Sequence, residues 1–373
     1  MQFEILKENF KKAASICERI TRKTVALPVL QNVLIKTNGN FLELTTTNLE
    51  LSIQWKVLAK ITKQGSLLLP ATFLSNILGL INSDKIQAQE ENKNLVLVSD
   101  NQEMQIQGQD PEEFPLIPKM EKEFVWQVNG SKLMEGLSQV VEQAAFSSIR
   151  PEISGVFFVF QKNKLKIVST DSFRLSEKSI FLEKPGEKDL SFICPQQTCR
   201  ELIAVLSQEK GSLEITANNN QICFEITGSQ PEQAKCLIQS RLIAGEYPKY
   251  QDIIPKQYIA KIQANKEDLV SQLKKAGLFA GKSLDVRLSV SAKDSRVKFF
   301  SQSADIGKNE SYLACKVDGI DQESVFNYKF LLDGLNNTKS SEVSLEMNGS
   351  DGPACLKPIG DDSYFYILMP IKQ

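Results

Sequence analysis

Two stretches of this chain carry the same frame, and the repetition restricts the folds open to it more than its composition does. Leu165-Lys166-Ile167-Val168-Ser169-Thr170-Asp171-Ser172-Phe173-Arg174-Leu175-Ser176 opens as a strand, apolar at Leu165 and Ile167. It then sets hydroxyls, a carboxylate and a guanidinium into a few residues. Phe41-Leu42-Glu43-Leu44-Thr45-Thr46-Thr47-Asn48-Leu49-Glu50-Leu51 repeats the frame, and Arg296-Val297-Lys298-Phe299-Phe300-Ser301-Gln302-Ser303 echoes it faintly. Spacings of roughly 125 to 130 residues in a chain of 373 imply three copies of one unit.

Each copy reads as strand, helix, strands, helix, strands. In the first, Phe10, Ala13, Ala14, Cys17 and Ile20 fall at helical spacing over Lys7–Lys23. Strands are expected at 27–36 and 41–53, a second helix at 71–81 after Pro70, and alternating strands at 86–89, 95–99 and 104–108. The second copy has helices at 130–146 and 195–206 and closing strands at 213–217, 223–227 and 233–240. The third has helices at 266–280 and 327–336 and ends in strands at 342–347, 354–358 and 364–369. Boundaries in the Pro- and charge-rich 111–122 and 248–256 give units of 1–121, 122–253 and 254–373. Strands with one buried face and two amphipathic helices make a two-layer α+β module with its helices on one side. Three in tandem make an arc whose terminal edges can close head to tail on a second copy.

Composition removes several function classes. With no histidine, the commonest general base at neutral pH is missing, and the seven cysteines form no C-x-x-C pair, so a zinc site has almost no ligands. No cofactor and no catalytic residue is expected. No run approaches a membrane span and the N-terminus is strand-like, so a cytoplasmic protein with reduced thiols is expected. Ala276-Gly277-Leu278-Phe279-Ala280-Gly281-Lys282-Ser283 matches a relaxed phosphate loop but comes off a helix, against the strand-to-helix order such loops need. An enzyme using Lys282 or Lys210 on a nucleotide is the rival reading.

Charge segregation is the better signal. Over residues 1–23, six basic residues against three acids give +3 in a chain whose total is −1. Lys132, Arg200, Lys274 and Lys275 extend the pattern to later helices, which suits a polyanion held at one surface. Solvated helix faces would look the same. The Thr170–Leu175 turn also has two readings: Asp171 capping the turn and pairing with Arg174, or an apolar floor with a fixed cation for a short peptide.

These residues resemble the bacterial DNA polymerase III β subunit family, the sliding clamps. The resemblance runs from end to end, through Leu27-Pro28-Val29-Leu30, Arg150-Pro151-Glu152-Ile153-Ser154-Gly155-Val156, Thr170–Leu175, Glu246-Tyr247-Pro248-Lys249-Tyr250, Ile254-Pro255 and Met369-Pro370-Ile371-Lys372. It implies a processivity factor: a head-to-tail homodimeric ring of six similar domains around duplex DNA, held without sequence readout. An open basic nucleic-acid binder without ring closure is the alternative. Partners would be the polymerase catalytic subunit, the clamp loader and other proteins carrying a clamp-binding peptide. The implied peptide pocket comprises Ile153, Thr170, Ser172, Phe173, Arg174, Leu175, Pro248, Ile253, Pro353, Ile367, Met369, Pro370, Ile371 and Lys372. DNA would lie against Lys11, Lys12, Arg22, Lys23, Lys132, Arg150, Arg200 and Lys275. The ring joint would set Met104 and Ile106 against Leu278 and Phe279. Phe173 stands where the family usually has histidine, and Lys372 where many relatives have arginine.

Overall fold

The computed structural model describes residues 1–22, 27–100, 102–118, 120–121, 123–186, 188–209, 211–227 and 235–372. Six helices organise it: α1 (Lys7–Thr21), α2 (Ala71–Leu80), α3 (Gly130–Val140), α4 (Gln196–Gln208), α5 (Lys266–Gly277) and α6 (Tyr328–Asn336). The apolar stripe of α1 is buried at Phe10, Ala13, Ala14, Cys17 and Ile20. Asn129, Asn265 and Asn327 cap α3, α5 and α6, each side chain accepting from a backbone N–H two or three residues on. Such a cap is worth about 1 kcal/mol. Glu267 and Asp268 in the first turn of α5, and Lys274 and Lys275 in its last, complement the helix dipole.

The described strands form four antiparallel sheets, and two of these cross from one unit into the next. Strand 235–241 adds to strand 51–58 with Ile238 opposite Ile53. Strand 364–368 adds to strand 174–181 with Ile367 opposite Leu175. The last strand of each later unit therefore extends the sheet of the unit before it. Among the described strands that end a sheet are 102–107, the last strand of the first unit, and 307–314 in the third, the counterpart of the strands 51–58 and 174–181 that accept a neighbour's last strand.

The structure departs from the sequence pattern where polar side chains bend the backbone. Pro28–Gln31 turns as a 3-10 helix before strand 32–38, held by the Asn32 amide donating to the carbonyls of Val29 (3.2 Å) and Pro28 (3.4 Å). The expected strand 41–53 is two, 41–47 and 51–58. Asn48 Oδ1 accepts from the Glu50 and Leu51 N–H groups at 3.1 and 2.7 Å, and Leu49 sits at φ 76°. The helix expected to reach Phe146 stops at Val140, and the Ala145 N–H goes across to the Ile153 carbonyl at 2.9 Å.

Close packing of helix on sheet gives a stability prediction. A Cβ on Gly334 of α6 would lie 2.6 Å from Tyr366 Cδ1. That ring cannot swing away, because its hydroxyl donates to the Phe330 carbonyl at 2.9 Å. Overpacking costs ~1–3 kcal/mol against a helix-propensity gain of ~1 kcal/mol. Gly334→Ala is expected to lower the thermal midpoint, and a raised midpoint would show that the interface yields.

Candidate peptide pocket, helical face and free edges

The Thr170–Leu175 turn is built by its own side chains. Thr170 Oγ1 donates to the Arg174 carbonyl (2.7 Å) and accepts from the Ser172 N–H (3.1 Å). Asp171 Oδ1 accepts from the N–H groups of Phe173 and Arg174 at 3.0 and 2.9 Å. Ser172 is held at φ 78°, the left-handed region that side chains other than glycine rarely adopt. The result presents Phe173, 64% exposed, outward and turns Leu175, 1% exposed, into the core. Leu175 is therefore beneath the floor rather than on it.

Arg174 is not a free cation. Its Nε lies 2.8 Å from Asp171 Oδ2, its Nη1 2.5 Å from Asp333 Oδ2 on α6, and its guanidinium stacks 4.4 Å from the Phe330 ring. The cap-and-pair reading of the turn describes this residue, and its charge ties the second unit to the third.

The chain's end completes the surface. The Met369 N–H donates to the Phe173 carbonyl at 2.8 Å, Leu368 lies opposite Arg174, and Pro353 precedes the strand that places Ala354 opposite Leu368. Pro370 is buried, Pro248 and Met369 are half-buried, and Ile253, Ile371 and Lys372 are exposed. Ile153 and Thr170 are buried behind them. Below lies a small core of Val168, Leu175, Ile193, Tyr247, Tyr250, Cys355 and Ile367. Tyr250 donates to Glu177 at 2.5 Å, and burial pushes the Tyr250 hydroxyl well above the usual tyrosine range. Arg150 Nη1 lies 3.1 Å from Ser172 Oγ and its Nε 3.1 Å from Glu152, so this residue sits beside the Thr170–Leu175 turn and not on the helical face.

The helical face carries fewer free cations than the sequence count implies. Lys12 pairs with Glu209 (2.7 Å), Arg22 with Glu18 (2.8 Å), and Arg200 grips Glu142 through two bonds of 3.0 and 2.6 Å. Lys12–Glu209 and Arg19–Glu201 tie α1 to the far end and middle of α4 across a unit boundary. Lys11, Lys132 and Lys275 have no ion pair among the described residues; Lys23 lies outside them. Replacing Lys11, Lys132 and Lys275 with Ala should lower the salt slope of DNA binding by about one unit for each phosphate that is no longer neutralised. An unchanged slope, read by titration across salt concentrations, would make these helices ordinary solvated faces.

At the edges, Ile106 is 1% exposed and packs into its own unit's core, with Met104 half-buried beside it. Leu278, just past α5, is 72% exposed, and Phe279 is half-buried. The sequence reading missed Phe73 and Leu80 on α2, 51% and 77% exposed. Their seven-residue spacing puts both on one helix face, the signal that would have found them.

The phosphate-loop match runs from α5 through the turn 281–283 into strand 285–291, with no helix N-terminus for an anion. Lys210 lies outside the described residues. Burial pushes the Cys17 thiol up to about 12 and the Cys355 thiol up to about 11. A cavity of about 770 Å³ lies elsewhere, under the connector 111–120.

Three sequence profiles match in order: the N-terminal domain of the DNA polymerase III beta subunit over residues 1–118, its central domain over 127–249, and its C-terminal domain over 251–372. The chain belongs to the DNA polymerase III beta subunit family. It is 26% identical to the beta sliding clamps of Staphylococcus epidermidis and Staphylococcus aureus, over 100% of this chain and 99% of theirs. Among solved structures, the DNA polymerase III beta subunit of Thermotoga maritima superposes with a TM-score of 0.92 at 22% identity, covering 100% of this chain and 99% of that one. A Pseudomonas aeruginosa sliding clamp bound to griselimycin gives 0.93 at 22% identity with complete coverage of both chains, 100% each. The fold is thus the three-domain clamp fold, and among the described residues no helix is long and apolar enough to cross a membrane.

Proposed function

We propose that this chain is a processivity clamp of the bacterial replicative polymerase. Two copies join head to tail, the helical layer faces duplex DNA, and the surface at the second junction takes peptide segments of the polymerase, its loader and other replication or repair proteins. The domains would be 1–121, 122–253 and 254–373. Family membership over the whole chain supports this reading, and one structural observation carries it. Both internal junctions are made by adding a unit's last strand to the preceding unit, which leaves one donor edge at 102–107 and one acceptor edge at 307–314.

The mechanism is topological. A ring around the duplex holds a polymerase at high effective concentration near the primer end, so dissociation is followed by rebinding. No chemical step is required of the clamp. Sedimentation in dilute solution, with retention on circular against linear DNA, tests the reading. A dimer that stays on circles and runs off linear ends is expected. A monomer binding both alike would leave an open basic binder, and nucleotide turnover would revive the enzyme reading.

A further inference from the structure

The two internal junctions define the register of the missing third. Three residues after Phe3, Trp126 and Ile262 come the residues that precede α1, α3 and α5. Those three lie opposite Ala88, Ile215 and Leu345. These in turn face Leu97, Phe224 and Leu356, which face Met104, Ile238 and Tyr366. Met104 thus holds the place that Ile238 and Tyr366 hold in the later units. On the acceptor side, the Ser169 and Ser301 hydroxyls each donate to a carbonyl at the end of the preceding helix, Val140 and Ala276. Opposite them lie Ser176 and Asn309. Tyr366 faces Ser176 at the second junction. By the same rule Met104 of one copy faces Asn309 of the other, which puts Gln105 opposite Lys308, Ile106 opposite Gly307 and Glu103 opposite Glu310.

Opposed residues share a face, so Glu103, Lys308 and Glu310 stand together on the exposed side of the joint. Glu310 is already occupied: Tyr312 donates to one oxygen at 2.5 Å and Lys298 lies 3.3 Å from the other. Tyr312 and then Lys298 hold its carboxyl below the usual carboxylate range. Lys308 and Glu103 are exposed and have no ion pair among the described residues. We propose that Glu103 of one copy pairs across the diagonal with Lys308 of the other, completing a Lys298–Glu310–Lys308 row that sets the strength of ring closure and its polarity. Diagonal neighbours on paired strands are ~7–8 Å apart at Cα, within reach of these side chains. Glu103 is thereby directed to the one charged side chain of strand 307–314 that Lys298 and Tyr312 leave unpaired, and donor-to-donor pairing, which offers Glu103 no cation, is disfavoured. This inference rests on the head-to-tail reading.

Two measurements test it on the full chain. Oxidation of the Glu103→Cys, Glu310→Cys double variant should yield covalent dimers, since directly opposed Cβ atoms lie ~4.5–5.5 Å apart. Glu103→Cys with Lys308→Cys or with Tyr312→Cys, two residues out of register, should cross-link far less, with single variants as controls. Lys308→Glu should weaken the dimer about tenfold, because a ring has two joints, and adding Glu103→Lys should restore it to within about threefold. A wild-type monomer would overturn the ring itself. A stable dimer that cross-links only in a shifted pair would overturn the register. An unchanged dissociation constant for Lys308→Glu, or no rescue, would overturn the charge row.

Discussion

Leu278→Ala combined with Phe279→Ala is expected to give a chain that folds like the wild type yet sediments as a monomer at sub-micromolar concentration. Leu278 is 72% exposed in the single chain, so its loss removes little from the unit's own core. In a closed ring it would bury against the partner's α2 face, where Phe73 and Leu80 are also exposed. Burial of an apolar side chain contributes ~1.5 kcal/mol or more, so four such side chains over two joints amount to ~6 kcal/mol, or about 10⁴-fold in dimer dissociation. Retention on circular DNA should fall with dimerisation, while the far-ultraviolet dichroism stays unchanged. A double variant that remains dimeric at that concentration would place the joint's apolar core elsewhere. Phe73→Asp is the complementary change and should act in the same direction.

The triplication was legible because buried strands and helices leave a period in sequence that no side-chain detail disturbs. Leu165 and Ile167 alternate as a strand must, and Phe10, Ala13, Ala14, Cys17 and Ile20 recur as a buried helix face must. Turns were harder. Thr45–Asn48 shift the apolar alternation from Leu42 and Leu44 to Leu49, Leu51 and Ile53, but the reversal there depends on the Asn48 carboxamide and a left-handed leucine. Charges were hardest. Counting cations cannot reveal that Arg200 is taken by Glu142, 58 residues away in sequence, or that Arg174 crosses to Asp333. The same limit hid Arg150, whose basic character suggested DNA while its contacts put it beside Ser172. Ile106 illustrates a different limit: an apolar residue on an edge strand can face inward, and only the pleat decides.

The peptide pocket carries the other large expected effect. Deleting Met369–Gln373 should abolish binding of a linear peptide with a Gln anchor and a Leu–Phe pair, a loss of at least about a hundredfold if two apolar contacts of ~1.5 kcal/mol each disappear. The dimer should persist, because the deleted residues neighbour Phe173 and Val325 and lie away from both free edges. The wild-type affinity should be nearly flat between pH 6 and 7.5. The chain has no histidine, and the exposed Phe173 ring has nothing to titrate. Phe173→His should create a pH dependence: protonation below about pH 6.5 sets a second cation beside Arg174 and hydrates the surface that an apolar anchor needs, so affinity falls as pH falls. Calorimetric titration of one such peptide against the wild type, the truncation and Phe173→His reads all three effects. If the truncated chain binds as tightly as the full one, the peptide seats elsewhere, and the cavity under the connector 111–120 becomes the next place to look, since it lies at the first junction as this surface lies at the second.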